Sequence, residues 1–252
     1  MNLEKYINGL PYDNTEEMYK YHRRNSRKIH GSNKNRYRLH PDRINNGKFW
    51  ELLEKKFGCD PVCPQAKNRE EANLKNHNLF ANLGGYSAIV SAERYRQRAD
   101  QLNVLDVGAG YNFTYHHIFK DRPRWNHYAI DVYPKDDRVI KITDEYNLAG
   151  NLPDIRFDLI ICSNVFQHLS DAIRRSYCKQ FYDMMNFNGV FHLNPIYHKK
   201  TKIYLYGQQT ETIDNHEAMA LTKGGFDYFS IGNQPSNGMY GINFLKPFPK
   251  IF

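Results

Sequence analysis

The stretch 104–110 (VLDVGAG) constrains the fold of this chain more than any other part of the sequence. An apolar run that ends in a carboxylate and is followed by two glycines indicates a buried parallel strand that turns tightly into a helix. Because glycine has no Cβ, the backbone at Gly108 and Gly110 can approach a ligand closely, and the next helix presents free N–H groups. The stretch therefore predicts a turn that binds a nucleotide-containing cofactor.

Two other positions narrow the choice of cofactor. The dinucleotide-binding pattern requires a third glycine three residues after the second, and Phe113 stands there instead. The stretch 128–131 (YAID) is typical of a short strand, and its Asp131 follows Gly110 by 21 residues. In the known pattern an acid roughly 20 residues after the glycines accepts hydrogen bonds from both hydroxyls of a ribose. The missing glycine thus argues against a nicotinamide or flavin cofactor, and the position of Asp131 favours a cofactor that contains a ribose.

DVGAG, then AID, then FDLIICSNVFQHL at 157–169 resemble the class I S-adenosylmethionine-dependent methyltransferases, and the match covers roughly residues 100–195. Those families often carry a third glycine where this chain has Asn112, which tolerates left-handed backbone angles. The resemblance implies S-adenosylmethionine as cofactor. It also implies that the cofactor contacts Asp106, Gly108, Ala109, Gly110, Asp131, Val132, Asp144, Ser163 and Asn164. By the same resemblance, an acid at the end of the third strand contacts the adenine amino group. Asp144 is the candidate for this contact, and Glu145 is equally well placed.

Alternating segments after residue 101 predict an α/β fold. The strand candidates are 102–107, 127–132, 138–143, 157–163, 189–194, 226–232 and 239–246, and the helix candidates are 112–120, 166–186 and 212–223. Such alternation implies right-handed crossovers and a mostly parallel sheet. We expect a Rossmann-like seven-stranded methyltransferase sheet with helices on both faces, whose final strand, by resemblance, is antiparallel.

Residues 1–78 are predicted to form a basic N-terminal helical extension or lid, and residues 79–252 the cofactor-binding domain. Helices are expected at 16–28, 48–57, 70–80 and 86–100. The chain has a net charge of +8, and the segment from Lys20 to Lys48 alone carries +9. This local charge indicates an anionic partner or a solvated arm. Arg23, Arg24 and Arg27 are the candidate substrate-binding residues of the segment.

The carboxyl ends of the strands supply the catalytic candidates, since ligands lie there in open α/β sheets. His168, Asn194 and His198 are predicted as catalytic residues and Tyr197 as a substrate contact; strand alternation places His192 and Asn194 on one face. A neutral histidine can remove the proton of an alcohol during in-line methyl transfer. A structural role for His168 at the start of the long helix remains open.

The acceptor is suggested only by a more distant resemblance. Residues 76–98, the DVGAGYN turn and the FQHLS segment resemble bacterial sugar O-methyltransferases of capsule and lipopolysaccharide pathways. This implies a cytoplasmic enzyme that methylates a nucleotide-activated sugar, such as a heptose or deoxysugar. An RNA methyltransferase with a basic arm and a catalytically silent partner subunit remain as alternatives. A nucleic-acid partner is not favoured because no recognisable binding module accompanies the basic segment.

Composition excludes several other classes of protein. No apolar run approaches the roughly 20 residues of a membrane span, and the first residues lack the apolar segment of a signal peptide. Cys59 and Cys63 have no second ligand pair at the spacing of a zinc site. The acids at 136–137 and 144–145 fall on the adenosine side of the sheet, so we predict no metal. A reducing cytoplasm is the expected compartment, and the oligomeric state, including a homo-oligomer, is left open.

Overall fold

The computed structural model describes residues 3–10, 13–14, 17, 20, 46–57, 66–198, 202–205, 208–223, 225–231 and 238–248. Arg23, Arg24 and Arg27 lie outside the described residues, as do Cys59, Cys63 and all but two positions of the predicted helix 16–28. The expectations for those residues stay predictions.

The described elements follow the alternation that the sequence predicts. The strands are β1 Leu102–Val107, β2 Trp125–Asp131, β3 Val139–Lys141, β4 Phe157–Ser163, β5 Met185–Tyr197, β6 Lys202–Leu205, β7 Gln208–Glu211, β8 Asp227–Ile231 and β9 Met239–Leu245. The α-helices are α1 Leu3–Asn8, α2 Asn46–Phe57, α3 Arg69–Asn82, α4 Gly85–Tyr95, α5 Asp171–Met184 and α6 Asn215–Thr222. A π-helix spans Tyr115–Phe119, and short 3-10 helices span Ala149–Asn151 and Phe166–His168.

Seven strands form one sheet in the order β3-β2-β1-β4-β5-β9-β8. The five strands from β3 to β5 in this order are parallel to one another, and β9 is antiparallel to both β5 and β8. The strand order reverses at β1, which pairs with β2 on one side and β4 on the other. This is the predicted Rossmann-like methyltransferase sheet, and its topological switch point is where an open α/β sheet binds ligands.

Helices cover both faces because alternate residues of the central strands point to opposite sides. Ile160 and Cys162 of β4 belong to the apolar cluster that includes residues of α5 and α6. Leu159 and Ile161 of the same strand belong to a second cluster, with residues of α3, α4 and the π-helix. All seven residues of β4 are buried, in agreement with the apolar run at its centre, residues 159–162.

Several element boundaries differ from the prediction. The segment 112–120 forms a π-helix in which the N–H of Lys120 bonds to the carbonyl of Tyr115 at 3.0 Å. The segment 166–186 divides at Leu169, because that residue is extended and Ser170 caps a new helix by accepting the N–H of Ile173. The helix then ends at Met184, and Asn188 makes a left-handed turn within β5 instead of a helix cap. The antiparallel β6–β7 pair lies in a segment for which we predicted no strand.

The N-terminal helices α1 and α2 pack through a small apolar cluster of their own, with Phe49 and Leu53 fully buried. The ammonium of Lys56 donates to the carbonyls of Ile7 and Leu10, which ties the two helices together. Helix α3 runs without a break across residue 78, where we placed the domain boundary. Within the described ranges, no helix has the length and hydrophobicity needed to cross a membrane.

Candidate functional site

The glycine turn after β1 is built from three left-handed positions. Gly108, Gly110 and Asn112 have φ angles of +71°, +51° and +61°. Asparagine is one of the few non-glycine residues that adopt this region readily, so Asn112 fulfils the conformational role of the missing glycine. The N–H groups of Gly108 and Ala109 both bond to the carbonyl of Ile130 in β2, at 2.8 and 3.2 Å. The turn is therefore anchored to the neighbouring strand, and the N–H groups of these two residues have an internal acceptor.

Close packing also requires glycine at position 108. A Cβ at Gly108 would lie 2.2 Å from Cγ2 of Val165, which follows β4. Real atoms do not approach so closely, and a side chain at a φ of +71° is strained in addition. The turn after β1 and the loop after β4 thus meet directly at the switch point.

Asp131 at the end of β2 is bound to the glycine turn. Its Oδ2 accepts the N–H of Gly110 at 2.8 Å, and its Oδ1 accepts the N–H of Tyr133 at 2.7 Å. Burial raises the pKa of this carboxyl, and the backbone donors oppose that rise because they favour the ionised form. Each carboxylate oxygen has a further lone pair, which can accept a hydroxyl proton of a ribose. Val132, the next residue, is partly buried against the main apolar cluster.

Asp106 is directed into the protein interior. It is 1% exposed, and its Oδ2 accepts the hydroxyl proton of Thr114. The Thr114 hydroxyl in turn lies 2.9 Å from Nε2 of His127. Burial raises the pKa of Asp106 to about 7, while the bond from Thr114 opposes the rise. This carboxyl therefore supports the helix that follows the glycine turn, and its predicted contact with the cofactor remains a prediction.

The two adenine candidates have different surroundings. Asp144 is exposed, and its Oδ1 accepts the N–H of Tyr146 at 2.9 Å in a local turn. Glu145 is half-buried and accepts the hydroxyl of Tyr177, a residue of α5, at 3.3 Å. Both residues lie beyond the carboxyl end of β3, as the sequence predicts.

The ends of β4 and β5 bring three predicted site residues together. The hydroxyl of Ser163 donates to Oδ1 of Asn194 at 2.8 Å, and both side chains are buried. The N–H of Asn164 donates to the carbonyl of Asn194 at 2.9 Å. Asn164 has a φ of +63°, so the chain turns sharply as it leaves the sheet. Sequence alone placed these residues on separate strands, and the register of β4 with β5 joins them.

His168 ends the 3-10 helix that follows β4. Burial, with a smaller contribution from the positive charge of Arg174, lowers its pKa to about 4, so the imidazole is neutral at pH 7. Its Nδ1 is buried and has no hydrogen-bond partner among the described residues. A buried ring nitrogen without a partner is costly, and a bound ligand can supply the missing hydrogen bond. His168 thus has a neutral ring and a nitrogen whose hydrogen bond is not made by the described residues, and its role as a general base stays a prediction.

Arg174 was not predicted as part of the site, although it holds the loop that carries His168. Its side chain is 2% exposed. Its Nε donates to the carbonyl of Phe166 at 2.8 Å, and its Nη1 bonds to Glu217 of α6 at 2.6 Å. The sequence gives no signal for this role, because an arginine within an amphipathic helix is usually at the surface.

Helix α2 covers the carboxyl edge between β2 and β4. Its Glu54 accepts hydrogen bonds from the hydroxyl of Tyr133 and from Lys135, both just beyond Asp131. Its Trp50 contacts His168 edge to face, with ring centroids 5.5 Å apart. We call this helix the cap. It contacts residues next to Asp131 at one side of the site and His168 at the other.

A polar cluster lies beside the glycine turn and was also missed. Arg69 of α3 and His116 of the π-helix both bond to Oδ2 of Asp136, and Nδ2 of Asn112 lies 3.4 Å from Oδ1. Burial alone would raise the pKa of Asp136, but the bonds from His116 and the backbone of Arg138 lower it to about 2. These contacts attach α3 to the turn, with the Asp136 side chain buried and the Arg69 side chain half-exposed. Among the described residues, no group of His, Cys, Asp and Glu is arranged to hold a metal ion.

The remaining predicted residues lie beyond β5. Tyr197 is half-buried at the end of the strand, and its N–H bonds to the carbonyl of Ile213 at 2.8 Å. His198 is exposed and packs against the ring of Tyr240 at 5.3 Å. Both keep their predicted roles as expectations, as do the three arginines of the N-terminal segment.

Comparison with known proteins supports the architecture. No family model matches the chain, and no curated protein matches its sequence. The sugar N-methyltransferase KedS8 from Streptoalloteichus sp. ATCC 53650 is similar in structure, with 11% identity, 72% of this chain and 93% of that chain covered, and a TM-score of 0.52. The PH0226 protein from Pyrococcus horikoshii OT3 is also similar, with 11% identity, 79% and 98% covered, and a TM-score of 0.51. This protein therefore shares the fold of a known methyltransferase.

Proposed function

We propose that this protein is an S-adenosylmethionine-dependent methyltransferase. The observation that carries the proposal is the 2.8 Å hydrogen bond from the N–H of Gly110 to Asp131. It joins the glycine turn to the acid that would bind the ribose, at the switch point of a sheet that a sugar N-methyltransferase also has. The intact set of turn, acid and strand-end residues argues against a catalytically silent partner subunit.

Residues at four strand ends fit the parts of this cofactor. Asp131 and Val132 would hold the ribose, and the turn at Gly108, Ala109 and Gly110 would approach the methionine part. The other contacts that we propose come from Asp106, Asp144, Ser163 and Asn164. When bound, S-adenosylmethionine supplies a methyl group on a sulfonium that is already activated, so the protein mainly has to align the acceptor.

We further propose that the acceptor is a hydroxyl of a small sugar, carried on a nucleotide. An alcohol is a poor nucleophile until its proton is removed, and the half-buried, neutral His168 would accept that proton at Nδ1. Asn194 would orient the acceptor through Ser163, whose hydroxyl it binds, and Tyr197 and His198 would lie at the mouth. The resemblance to sugar O-methyltransferases and the fold shared with a sugar N-methyltransferase support this substrate class.

The basic segment would bind the phosphates of the carrier. Arginine pairs well with phosphate, and Arg23, Arg24 and Arg27 are close together in the sequence. We expect neutralisation of all three arginines to raise the acceptor KM and to leave the affinity for S-adenosylhomocysteine unchanged. An unchanged KM would make the segment a solvated arm.

A sugar amine is the second candidate acceptor, and the fold shared with a sugar N-methyltransferase favours it. An amine needs less help from a base than an alcohol does. Replacement of His168 by alanine should therefore reduce turnover strongly for a hydroxyl acceptor and only slightly for an amine. An RNA acceptor would instead show binding that weakens by several powers of ten as salt rises.

We also propose that the enzyme works in the cytoplasm. Cys162 and Cys178 are both free and buried, which fits a reducing compartment.

A thermal-shift screen with S-adenosylhomocysteine tests the central proposal. A ligand at 100 times its Kd that binds only the native state adds about 2.7 kcal/mol of stability, which gives a clear rise in Tm. The screen should be repeated with GDP-, UDP-, CDP- and dTDP-sugars to find the carrier. A shift with the cofactor product supports the reaction class, and no shift at saturating concentration would contradict it.

A further inference from the structure

A series of hydrogen bonds, buried except at its Ser87 end, connects the candidate site to the start of helix α4. It runs from Ser163 through Asn194, His192 and Asn243 to Ser87. The heavy-atom distances along it are 2.8, 2.7, 2.7 and 2.9 Å. His192 and Asn243 are 0% exposed and Asn194 is 1% exposed, so water does not compete for these bonds.

The contacts of Ser87 determine which group donates and which accepts in each of these hydrogen bonds. The hydroxyl of Ser87 lies 2.7 Å from the carbonyl oxygen of Gly84, which can only accept, so the single hydroxyl proton points there. Ser87 must then accept its second bond, and it receives the amide N–H of Asn243. The amide oxygen of Asn243 therefore faces Nδ1 of His192, and that nitrogen must carry the proton.

The proton on Nδ1 of His192 determines the donor and acceptor roles of the groups between this ring and the site. A neutral imidazole has one N–H, so Nε2 of His192 is an acceptor and faces the amide nitrogen of Asn194. Burial, opposed in part by the bond to Asn243, lowers the pKa of His192 to about 4, which keeps the ring neutral at pH 7. Asn194 then presents its oxygen to Ser163, and the Ser163 hydroxyl donates to it. The only proton of Ser163 is used inside the protein.

Packing leaves room for the imidazole and holds it in place. A Cβ on Gly241 of β9 would lie 2.8 Å from Cε1 of His192 and 2.1 Å from the carbonyl oxygen of Leu83. The ring of Phe80 contacts the imidazole edge to face, with centroids 5.3 Å apart. His192 is therefore enclosed between strands and helix, and reorientation of its ring would require these neighbours to move.

We propose that Ser163 acts toward the bound ligand only as a hydrogen-bond acceptor, and that His192 is the positioning residue that sets this polarity. This inference rests on the proposed function, which places Ser163 at the ligand. The group that Ser163 contacts must be an N–H or O–H donor. The donor can belong to the cofactor, which has an ammonium, ribose hydroxyls and an adenine amine, or to the hydroxyl or amine of the acceptor.

The first test needs no ligand. Long-range ¹⁵N NMR of the histidine rings distinguishes the two tautomers, and the signals of His192 are those that disappear in His192→Gln. We expect a protonated Nδ1 and an unprotonated Nε2 in the free protein. The opposite tautomer would overturn the proposal, whereas a failure of the protein to bind S-adenosylhomocysteine would overturn the proposed function and leave this result standing.

The second test separates the two donor sources. Ser163→Ala should weaken S-adenosylhomocysteine binding roughly tenfold if the donor is the cofactor, or raise the acceptor KM by a similar factor if it is the acceptor. Ser163→Thr keeps the hydroxyl and should restore most of the loss. Ser176→Ala, a serine of α5 that accepts from Gln180, is the matched control and should change neither constant. If Ser163→Ala also changes neither, the proposal is wrong.

Ser87→Ala tests the series of hydrogen bonds at its exposed end. Without the Ser87 hydroxyl the orientation of the Asn243 amide is no longer fixed, so the Nε2–H tautomer of His192 should become populated. The constant that Ser163→Ala changes should shift in the same direction by a smaller factor, roughly twofold to fivefold. A purely structural role of His192 would not connect this distant hydroxyl to the site, so an unchanged tautomer would contradict the proposal.

Discussion

The indole of Trp50 meets the imidazole of His168 edge to face, at 86° and with ring centroids 5.5 Å apart. Through this contact the N-terminal cap reaches the candidate base, while Glu54, one helical turn further on, reaches Tyr133 and Lys135 beyond Asp131. One helix therefore joins the two halves of the site.

His168 should control turnover without controlling cofactor binding. We expect His168→Ala to lower kcat for a hydroxyl acceptor roughly 10²-fold to 10⁴-fold, because the acceptor loses its base. The affinity for S-adenosylhomocysteine, measured by calorimetry, should stay within a factor of two or so. Because the pKa of His168 is about 4, kcat/KM should decline only as the pH falls through that value. His216→Ala, at an exposed position of α6, is the control, and full activity of His168→Ala would refute the assignment.

The contacts of Glu54 should slow the release of the cofactor product. Glu54→Ala removes the partner of both Tyr133 and Lys135, so the cap should open more often. We expect S-adenosylhomocysteine to dissociate roughly threefold to tenfold faster in stopped-flow experiments. Glu51 lies on the same helix and pairs with Lys48 at the surface, so Glu51→Ala should leave the rate unchanged. Equal dissociation rates in the two variants would show that the contacts of Glu54 do not control ligand release.

Asp131 should determine the affinity for the ribose. Asp131→Asn retains one acceptor oxygen for the backbone and loses the charge that favours the hydroxyl bonds. The Kd of S-adenosylhomocysteine should rise roughly 10-fold to 100-fold, as expected for charge-assisted hydrogen bonds. Asp121→Asn, at an exposed turn after the π-helix, provides the comparison. Calorimetry that gives the same Kd for both variants and for the unaltered protein would exclude Asp131 as the ribose ligand.

Buried histidines should make the native state sensitive to acid. His127, His168 and His192 all have pKa values near 4, lowered from 6.5 mainly by burial. As the pH falls from 6.5 to 4 the unfolded chain takes up protons that the native state does not, so each histidine lowers stability by up to about 1.4 kcal/mol per pH unit. Asp106 opposes this, because its pKa of about 7 means that the native state gains a proton over the same range.

The net loss of unfolding free energy should therefore be about 2 kcal/mol per pH unit between pH 6 and pH 5, measured by urea denaturation. His127→Phe removes one titrating group and places a ring among Tyr115 and Phe119, so its dependence on pH should be less steep. If His127→Phe has the same dependence on pH as the unaltered protein, His127 is not held neutral in the native state and the prediction is wrong.

The sequence predicts those parts of the site that depend on neighbouring residues. The VLDVGAG turn, the acid at Asp131 and the buried strand at 157–163 each follow from local composition and spacing, and the alternation of elements predicts the sheet. Alternation also placed His192 and Asn194 on one face, and the structure joins them by a hydrogen bond at 2.7 Å.

Contacts between distant segments are not predictable in this way. Glu54 and Tyr133 are 79 residues apart, and no local pattern indicates that one binds the other. Arg174 looks like a surface residue of an amphipathic helix until α6 and the 3-10 helix close around it. The π-helix at Tyr115–Phe119 arises where its aromatic and histidine side chains pack against α3 and β2, which single-sequence propensities do not include.

The hydrogen bond between Ser87 and Asn243 also has a consequence for folding. Its partners are separated by 156 residues, and it forms only once β9 has been inserted between β5 and β8. Contacts over such separations form slowly, because loop closure must precede them. The proposed contact between Ser163 and a ligand thus depends on a bond between segments far apart in the sequence, and partly folded molecules without β9 in the sheet would not hold Ser163 in this orientation.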